Sequence, residues 1–255
     1  MFTALRNWRY RRIIKGSAIT DEAWSQSFAS LPILDGLDVA ERQRLQELTV
    51  LFLYYKSFES ARGLVLTQAM RMHIALQACL PILNLGLQAY DGWIAVIVYP
   101  AEFLPRRSYM DESGVMHEDI ADLAGEAWQR GPVILSWEDA NAAGELDGHN
   151  LVIHEFAHKL DMQNGVANGF PPLHRSMVID EWVETFSHAY EHFSRHCHSH
   201  DFNGIECYAT TSPAEFFAVF SEVFFERPEL LKQYYAQVYK QLCLYYRQQP
   251  LLRLA

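Results

Sequence analysis

Apolar side chains recur at helical spacing through the first third of the chain. In "DVAERQRLQELTVLFLYYKSF", residues 38–58, Leu45, Leu48, Phe52 and Tyr55 fall on one helix face. "TDEAWSQSFASL" opens on a threonine suited to an N-cap, with acids in the first turn. Residues 64–80 predict a further helix, buried and ending near Pro81. The pattern then changes. "WIAVIVYP", 93–100, is a β-branched run between Asp91-Gly92 and Pro100, and "GPVILSW", 131–137, is a shorter one. Both predict strands. Between them a turn is expected at Asp111–Gly114 and a short strand near Val115. Beyond 147 the helical period returns over 148–163, 178–197, 213–226 and 228–247. Asp147 is a candidate N-cap for the first of these and Gly165 a candidate stop.

Helices, a few strands, then helices again predict an α+β fold rather than a doubly wound sheet. The chain should be mostly helical, with a small sheet beside the helix at 148–163. No repeat, linker or low-complexity tract divides it. Residues 1–255 are therefore expected to form one compact domain, with a helical part over 1–88 and a second part, with the strands, over 89–255.

Half the residues are hydrophobic and 20% are charged, ordinary for a chain that buries a core. The net charge of −10 argues against nonspecific nucleic-acid binding. One segment runs the other way: "MFTALRNWRYRRIIK" carries five basic side chains and no acid, as a solvated end or a docking arm would. The longest apolar region, "GLVLTQAMRMHIALQACLPILNLGL", is interrupted by Arg71, His73 and Pro81 and is no membrane span. The basic segment is not followed by the apolar core of a secretory signal. Cys79, Cys197, Cys207 and Cys243 form no C-x-x-C pair, and a reduced cytoplasmic location is expected.

The chemistry concentrates in "LVIHEFAHKLDMQNG", residues 151–165. His154 and His158 lie on one helix face, where two imidazoles can converge on one ion at about 2.0–2.1 Å. Glu155 sits about 100° round the helix, placed to reach an attacking water without ligating the metal. Chance would write H-E-x-x-H in roughly one of thirty chains of this composition. The rest of the helix is apolar almost all round and so should be buried. Buried unpaired polar groups cost about 1–3 kcal/mol each, and a metal would satisfy several together. Asp161 shares the face of the histidines. It is suited either to accept the outer N–H of a ligand histidine or to bind a loop backbone.

A catalytic zinc commonly takes three protein ligands. "KLDMQNG" after His158 holds no third histidine, so the third ligand should come from a later helix. In "YATTSPAEFFAVFSEVFFERPEL", Ser212 to Glu215 also read as a capping box. The helix is otherwise apolar on most sides, and Glu215, Ala218 and Glu222 form a thin stripe on it. Glu215 is the candidate ligand. Glu222 is a candidate outer partner of the site, or a partner for an arginine. In "SHAYEHFSRHCHSH", His188, His192 and His196 recur every four residues, with Cys197, His198 and His200 near, and read either as a competing metal trap or as a solvated face. Tyr208, seven residues before Glu215, suits either core packing or donation to an oxyanion.

"HEFAHKLDMQNG" followed by "YATTSPAEFFAV", flanked by "VILSW" and "LDGHNLVIHEFAH", resembles the Mlc titration factor A family over nearly the whole chain. The catalytic part is also similar to the protease domain of anthrax lethal factor, which shares H-E-F-x-H and a tyrosine seven residues before the ligand glutamate. The resemblance implies a cytosolic zinc metallopeptidase with aminopeptidase-like activity, a zincin-like catalytic core over 89–255 and one zinc per chain. It also implies binding to the glucose repressor Mlc, which links the protein to the sugar phosphotransferase system. The zinc ligands would fall on His154, His158 and Glu215, the general base on Glu155 and the oxyanion donor on Tyr208; each position holds the required residue type. A reading from a different class is a repressor-sequestering binding protein whose zinc is structural or vestigial.

Overall fold

The computed structural model describes residues 2–101, 106–110, 116–120, 131–197 and 204–254. The first third is helical: α1 (Phe2–Lys15), α2 (Asp21–Ala29), α3 (Val39–Tyr55) and α4 (Gln68–Cys79). Thr20 caps α2 by accepting the Ala23 N–H, and Asp38 with Glu41 forms a reciprocal capping box on α3. Helix α1 packs Tyr10, Ile13 and Ile14 toward the core and turns Leu5, Trp8 and its basic side chains outward.

The helix predicted over 38–58 stops at Tyr55, and a strand, β1 (Ser57–Ser60), follows it. Lys56 makes the change. Its backbone is extended, and its buried ammonium donates to Tyr90 O and Trp93 O at 2.5 and 2.6 Å. β1 is mostly exposed and shows no apolar alternation, so only its pairing identifies it as a strand. It lies parallel to β2 (Ala95–Tyr99), which pairs in parallel with β5 (Val133–Ser136). Val96, Val98, Val133 and Leu135 point into the core. Between them β3 (Arg106–Met110) and β4 (Met116–Ile120) form an antiparallel ribbon. The turn expected at Asp111–Gly114 and Val115 itself lie outside the described residues.

The second half is again helical: α5 (Trp137–Ala142), α6 (Leu151–Asp161), α7 (Ile179–His196), α8 (Pro213–Glu226), α9 (Pro228–Tyr234) and α10 (Ala236–Tyr246). Helices dominate and the sheet is small, so the fold is α+β as expected. In the first third the helix expected over 64–80 begins only at Gln68, behind its Thr67 cap, and in this half two boundaries differ from the reading of the sequence. The predicted helix at 148–163 begins at Leu151, because Gly148 adopts φ 102° and keeps the chain out of the helical region. Asn150, not Asp147, is its cap, accepting the Ile153 N–H at 2.9 Å, while Asp147 accepts the N–H of His149. The predicted helix at 228–247 is two helices. Tyr235 leaves the helical region at φ −135°, ψ 55°, and its buried ring packs 5.2 Å from Phe220. Tertiary packing there overrides an unbroken helical period.

Helix α6 packs most extensively on α8. On the face of α6 opposite the histidines, Phe156 is buried against Phe52, Tyr90 and Trp93, with ring centroids 5.1–5.6 Å away. On α8 the back is Phe217, Phe220 and Phe224, all buried. Each helix thus presents its polar stripe to the other. The end of α6 fixes the start of α8. Asp161 Oδ2 accepts the N–H groups of Asn168 and Gly169 at 2.8 and 2.7 Å. Gly169 has φ +77°, and a Cβ there would stand 2.4 Å from Pro213 O, in the first turn of α8. Of the two roles open to Asp161 the structure shows the loop-binding one. Its other oxygen has no hydrogen-bond partner, and no histidine donates to it.

Gly169→Ala should therefore shift the start of α8 and cost about 1–3 kcal/mol of stability. The midpoint of urea unfolding measures this, and a midpoint equal to the wild type would show that the loop yields without strain.

Candidate metal centre

Contacts between α6 and α8 pair the start of one with the end of the other. Asn150 meets Glu222 and Glu226, His154 meets Glu222 and Glu215, and His158 meets Glu215. The helices therefore run antiparallel. Glu215, Glu222 and Glu226 are seven and four residues apart, which keeps them within a narrow stripe along α8. Ala218, between the first two, is fully buried and leaves room for close approach.

Three ligand-type atoms converge at the crossing. His154 Nε2 lies 3.0 Å from Glu215 Oε2, His158 Nε2 lies 3.3 Å from the same oxygen, and the two Nε2 atoms are 3.2 Å apart. A tetrahedral ion with bonds of about 2.0–2.1 Å separates its ligand atoms by roughly 3.3–3.4 Å. The triangle is nearly that of three corners of such a site. Glu215 Oε2 is buried and makes no well-directed hydrogen bond, so the atom nearest both imidazoles is the one left unsatisfied. Among the described residues this is the one group of three or more His, Cys, Asp or Glu side chains close enough to share an ion. The donor set fits a divalent transition metal with one coordination position left open.

The electrostatics point the same way. Burial alone would lower the pKa of His154, but its contacts with Glu215 and Glu222 outweigh burial and hold it well above the ordinary histidine value. Burial alone would raise the Glu215 carboxyl, but His154 and His158 hold it well below the ordinary carboxylate range. Without metal, a proton on His154 supplies the positive charge that Glu215 demands.

Ser212 caps α8, as the sequence suggested, by accepting the Glu215 N–H at 3.2 Å. The Glu215 carboxylate turns to the histidines, so the expected capping box is only half made. Among the described residues Glu222 pairs with no arginine. Its Oε1 lies 2.8 Å from His154 Nδ1 and its Oε2 accepts the Asn150 N–H at 2.6 Å. A carboxylate on the outer nitrogen aims Nε2 of His154 into the site and makes it more basic.

Two residues of this network escaped the sequence reading. Asn150 is fully buried, and its side-chain amide donates to Gln77 Oε1 at 2.9 Å and Glu226 Oε1 at 2.8 Å. Glu226 is nearly as buried. Burial pushes its carboxyl up to about 7, against the hydrogen bond from Asn150. The signals existed: an asparagine directly before an apolar run, and a carboxylate four residues beyond Glu222 on an otherwise apolar helix.

Glu155 is half-buried beside the cluster. Tyr208, on a short 3-10 turn at Cys207–Thr210, is 53% exposed, so it is not core packing. Its ring centroid is 6.2 Å from that of His154. Burial, then the charges of Glu215 and Glu155, raise its phenol pKa and keep it a proton donor. His188, His192 and His196 are exposed on α7, away from these ligand atoms, and His198 and His200 lie outside the described residues.

The family model described as glucose-regulated metallo-peptidase M90 matches residues 5–247. The chain is 38% identical over 238 residues to Mlc titration factor A of Yersinia pestis (strain Pestoides F), covering 91% of this chain and 86% of the relative. Mlc titration factor A of Yersinia pseudotuberculosis serotype O:1b (strain IP 31758) matches with the same identity and coverage. With the match spanning both the helical first third and the paired histidine and glutamate helices, this chain belongs to the glucose-regulated metallopeptidase M90 family.

Proposed function

We propose that the protein is a zinc-dependent peptidase with aminopeptidase-like specificity, acting in the cytoplasm, that also binds the repressor Mlc. The observation that carries the catalytic reading is the convergence of His154 Nε2, His158 Nε2 and Glu215 Oε2 within 3.0–3.3 Å of one another. These three would hold one zinc ion, with Glu222 fixing the His154 ring. When bound, zinc supplies Lewis acidity that polarises a peptide carbonyl and acidifies the attacking water.

The chain's own residues do the rest. Glu155, half-buried beside the ligands, takes the proton of the attacking water and passes it to the leaving amine. Tyr208, kept protonated by partial burial and then by its two carboxylate neighbours, donates a hydrogen bond to the developing oxyanion. Strand β5 pairs with β2 on one side only among the described residues, which leaves an edge where an extended peptide can lie by main-chain pairing. Mlc enters through the name of the relatives. Helix α1, with Arg6, Arg9, Arg11, Arg12 and Lys15 exposed on an otherwise acidic protein, offers a docking surface apart from the hydrolytic site.

Glu155→Gln should keep its zinc and its Mlc binding and lose peptide hydrolysis, whereas Glu215→Ala should lose zinc. Elemental analysis, a peptide-cleavage screen and an Mlc pull-down on the same preparations read this out. An active Glu155→Gln enzyme would sink the base assignment, and a wild type that binds Mlc but cleaves no peptide would leave only the binding role. Tyr208→Phe should retain zinc and lose about 2–4 kcal/mol of transition-state stabilisation; an unchanged kcat/KM would remove Tyr208 from the mechanism. Glu215 and Glu222 raise the pKa of His154 well above the ordinary histidine value in the metal-free form, against its burial, and so favour the protonated ring. Zinc binding should therefore release protons, and zinc affinity should weaken as pH falls. Calorimetry in two buffers of different ionisation enthalpy measures the proton count; a count of zero would contradict the assignment of His154 as ligand.

A further inference from the structure

We infer that Asn150 is the positioning residue of the metal centre, fixing the ligand helix α6 against α4 and α8. The inference rests on the metal-centre reading above. Every polar atom of this fully buried residue is committed. The side-chain oxygen caps α6 through the Ile153 N–H at 2.9 Å, and the main-chain oxygen accepts the N–H of His154 itself, also at 2.9 Å. The side-chain amide reaches Gln77 on α4 at 2.9 Å and Glu226 at the end of α8 at 2.8 Å. The main-chain N–H meets Glu222 Oε2 at 2.6 Å, and the other oxygen of that carboxylate stands 2.8 Å from His154 Nδ1. One residue therefore governs both the backbone and the ring of His154.

Helix capping alone does not require an asparagine. Serine caps as well through its hydroxyl, but it cannot span Gln77 and Glu226. The asparagine amide carries two N–H groups, and each meets a buried acceptor on a different helix. Glu226 faces that amide with one oxygen, while its other oxygen is buried without a hydrogen-bond partner. Removing the amide would leave the carboxyl with no side-chain donor, and the end of α8 free to shift relative to α6. A shift there moves Glu222 and, through it, the imidazole aimed at the ion. Outer partners of this kind commonly alter metal affinity by about ten- to a hundredfold.

The test uses full-length wild type, Asn150→Ser, Asn150→Asp, Glu226→Gln and the Asn150→Asp/Glu226→Gln pair, each stripped of metal. Zinc affinity is measured by competition with a fluorescent chelator, and the melting temperature of the metal-free protein is recorded beside it. Asn150→Ser keeps the cap and should weaken zinc binding by about ten- to a hundredfold. Asn150→Asp sets a carboxylate against Glu226 and should weaken binding at least as much. Adding Glu226→Gln returns a donor to the pair and should recover tenfold or more of the loss. A purely structural role would lower the melting temperature and leave zinc affinity within about twofold of wild type, and that result overturns the inference. If Asn150→Ser fails to fold, the paired variant decides: recovered folding without recovered zinc affinity overturns it equally. A wild type that takes up no zinc would reject the metal-centre reading, and the positioning role with it, before any variant is compared.

Discussion

A carboxylate oxygen buried between two imidazole nitrogens needs a positive charge, and much of this structure is arranged around that need. Glu215 Oε2 lies within 3.3 Å of both His154 and His158 and has no well-directed hydrogen bond of its own. Leaving such an oxygen without a partner is costly. A proton on His154 is the minimal answer; a divalent ion at the same point satisfies all three atoms together.

Holding that arrangement requires two helices with opposite characters on their two sides. The backs of α6 and α8 are aromatic and buried, Phe156 among Phe52, Tyr90 and Trp93, and Phe217, Phe220 and Phe224 in the other half of the core. Burying each of these side chains contributes about 1.5–3 kcal/mol, which offsets the desolvation of the polar stripe between the helices. The stripe is divided by function. Glu215 faces the ion position, Glu222 grips the outer nitrogen of His154, and Glu226 anchors the first residue before the ligand helix. Asp161 closes the other end by tying the 168–169 loop against the first turn of α8.

The groups assigned to the reaction itself differ from these supports in their access to solvent. Tyr208 is half exposed and Glu155 partly so, whereas Asn150, Asp161 and Glu226 are buried. That division suits a site where substrate and water reach the acid–base groups while the scaffold stays dry. The cationic helix α1 packs on α3 and turns its basic side chains outward, so the docking proposed for it does not draw on the side chains proposed for hydrolysis.

The sequence by itself determined the fold class, most helices and the identity of the cluster. Apolar periodicity is local, and H-E-x-x-H places two imidazoles on one face once its segment is helical. The stripe on an otherwise apolar α8 likewise marked Glu215 and Glu222 as buried polar groups in need of partners. It did not determine which partners. Glu222 on His154, Asp161 on a loop, and Asn150 across three helices are contacts between residues up to 76 positions apart. Strand β1 has no apolar alternation and exists through its pairing with β2, and Tyr235 breaks a helix because its ring is needed in the core. Local spacing fixes which side chains share a face. Only the packing of faces from distant segments decides what each buried polar atom meets, because its partner is chosen by proximity in space and by the cost of leaving it without one.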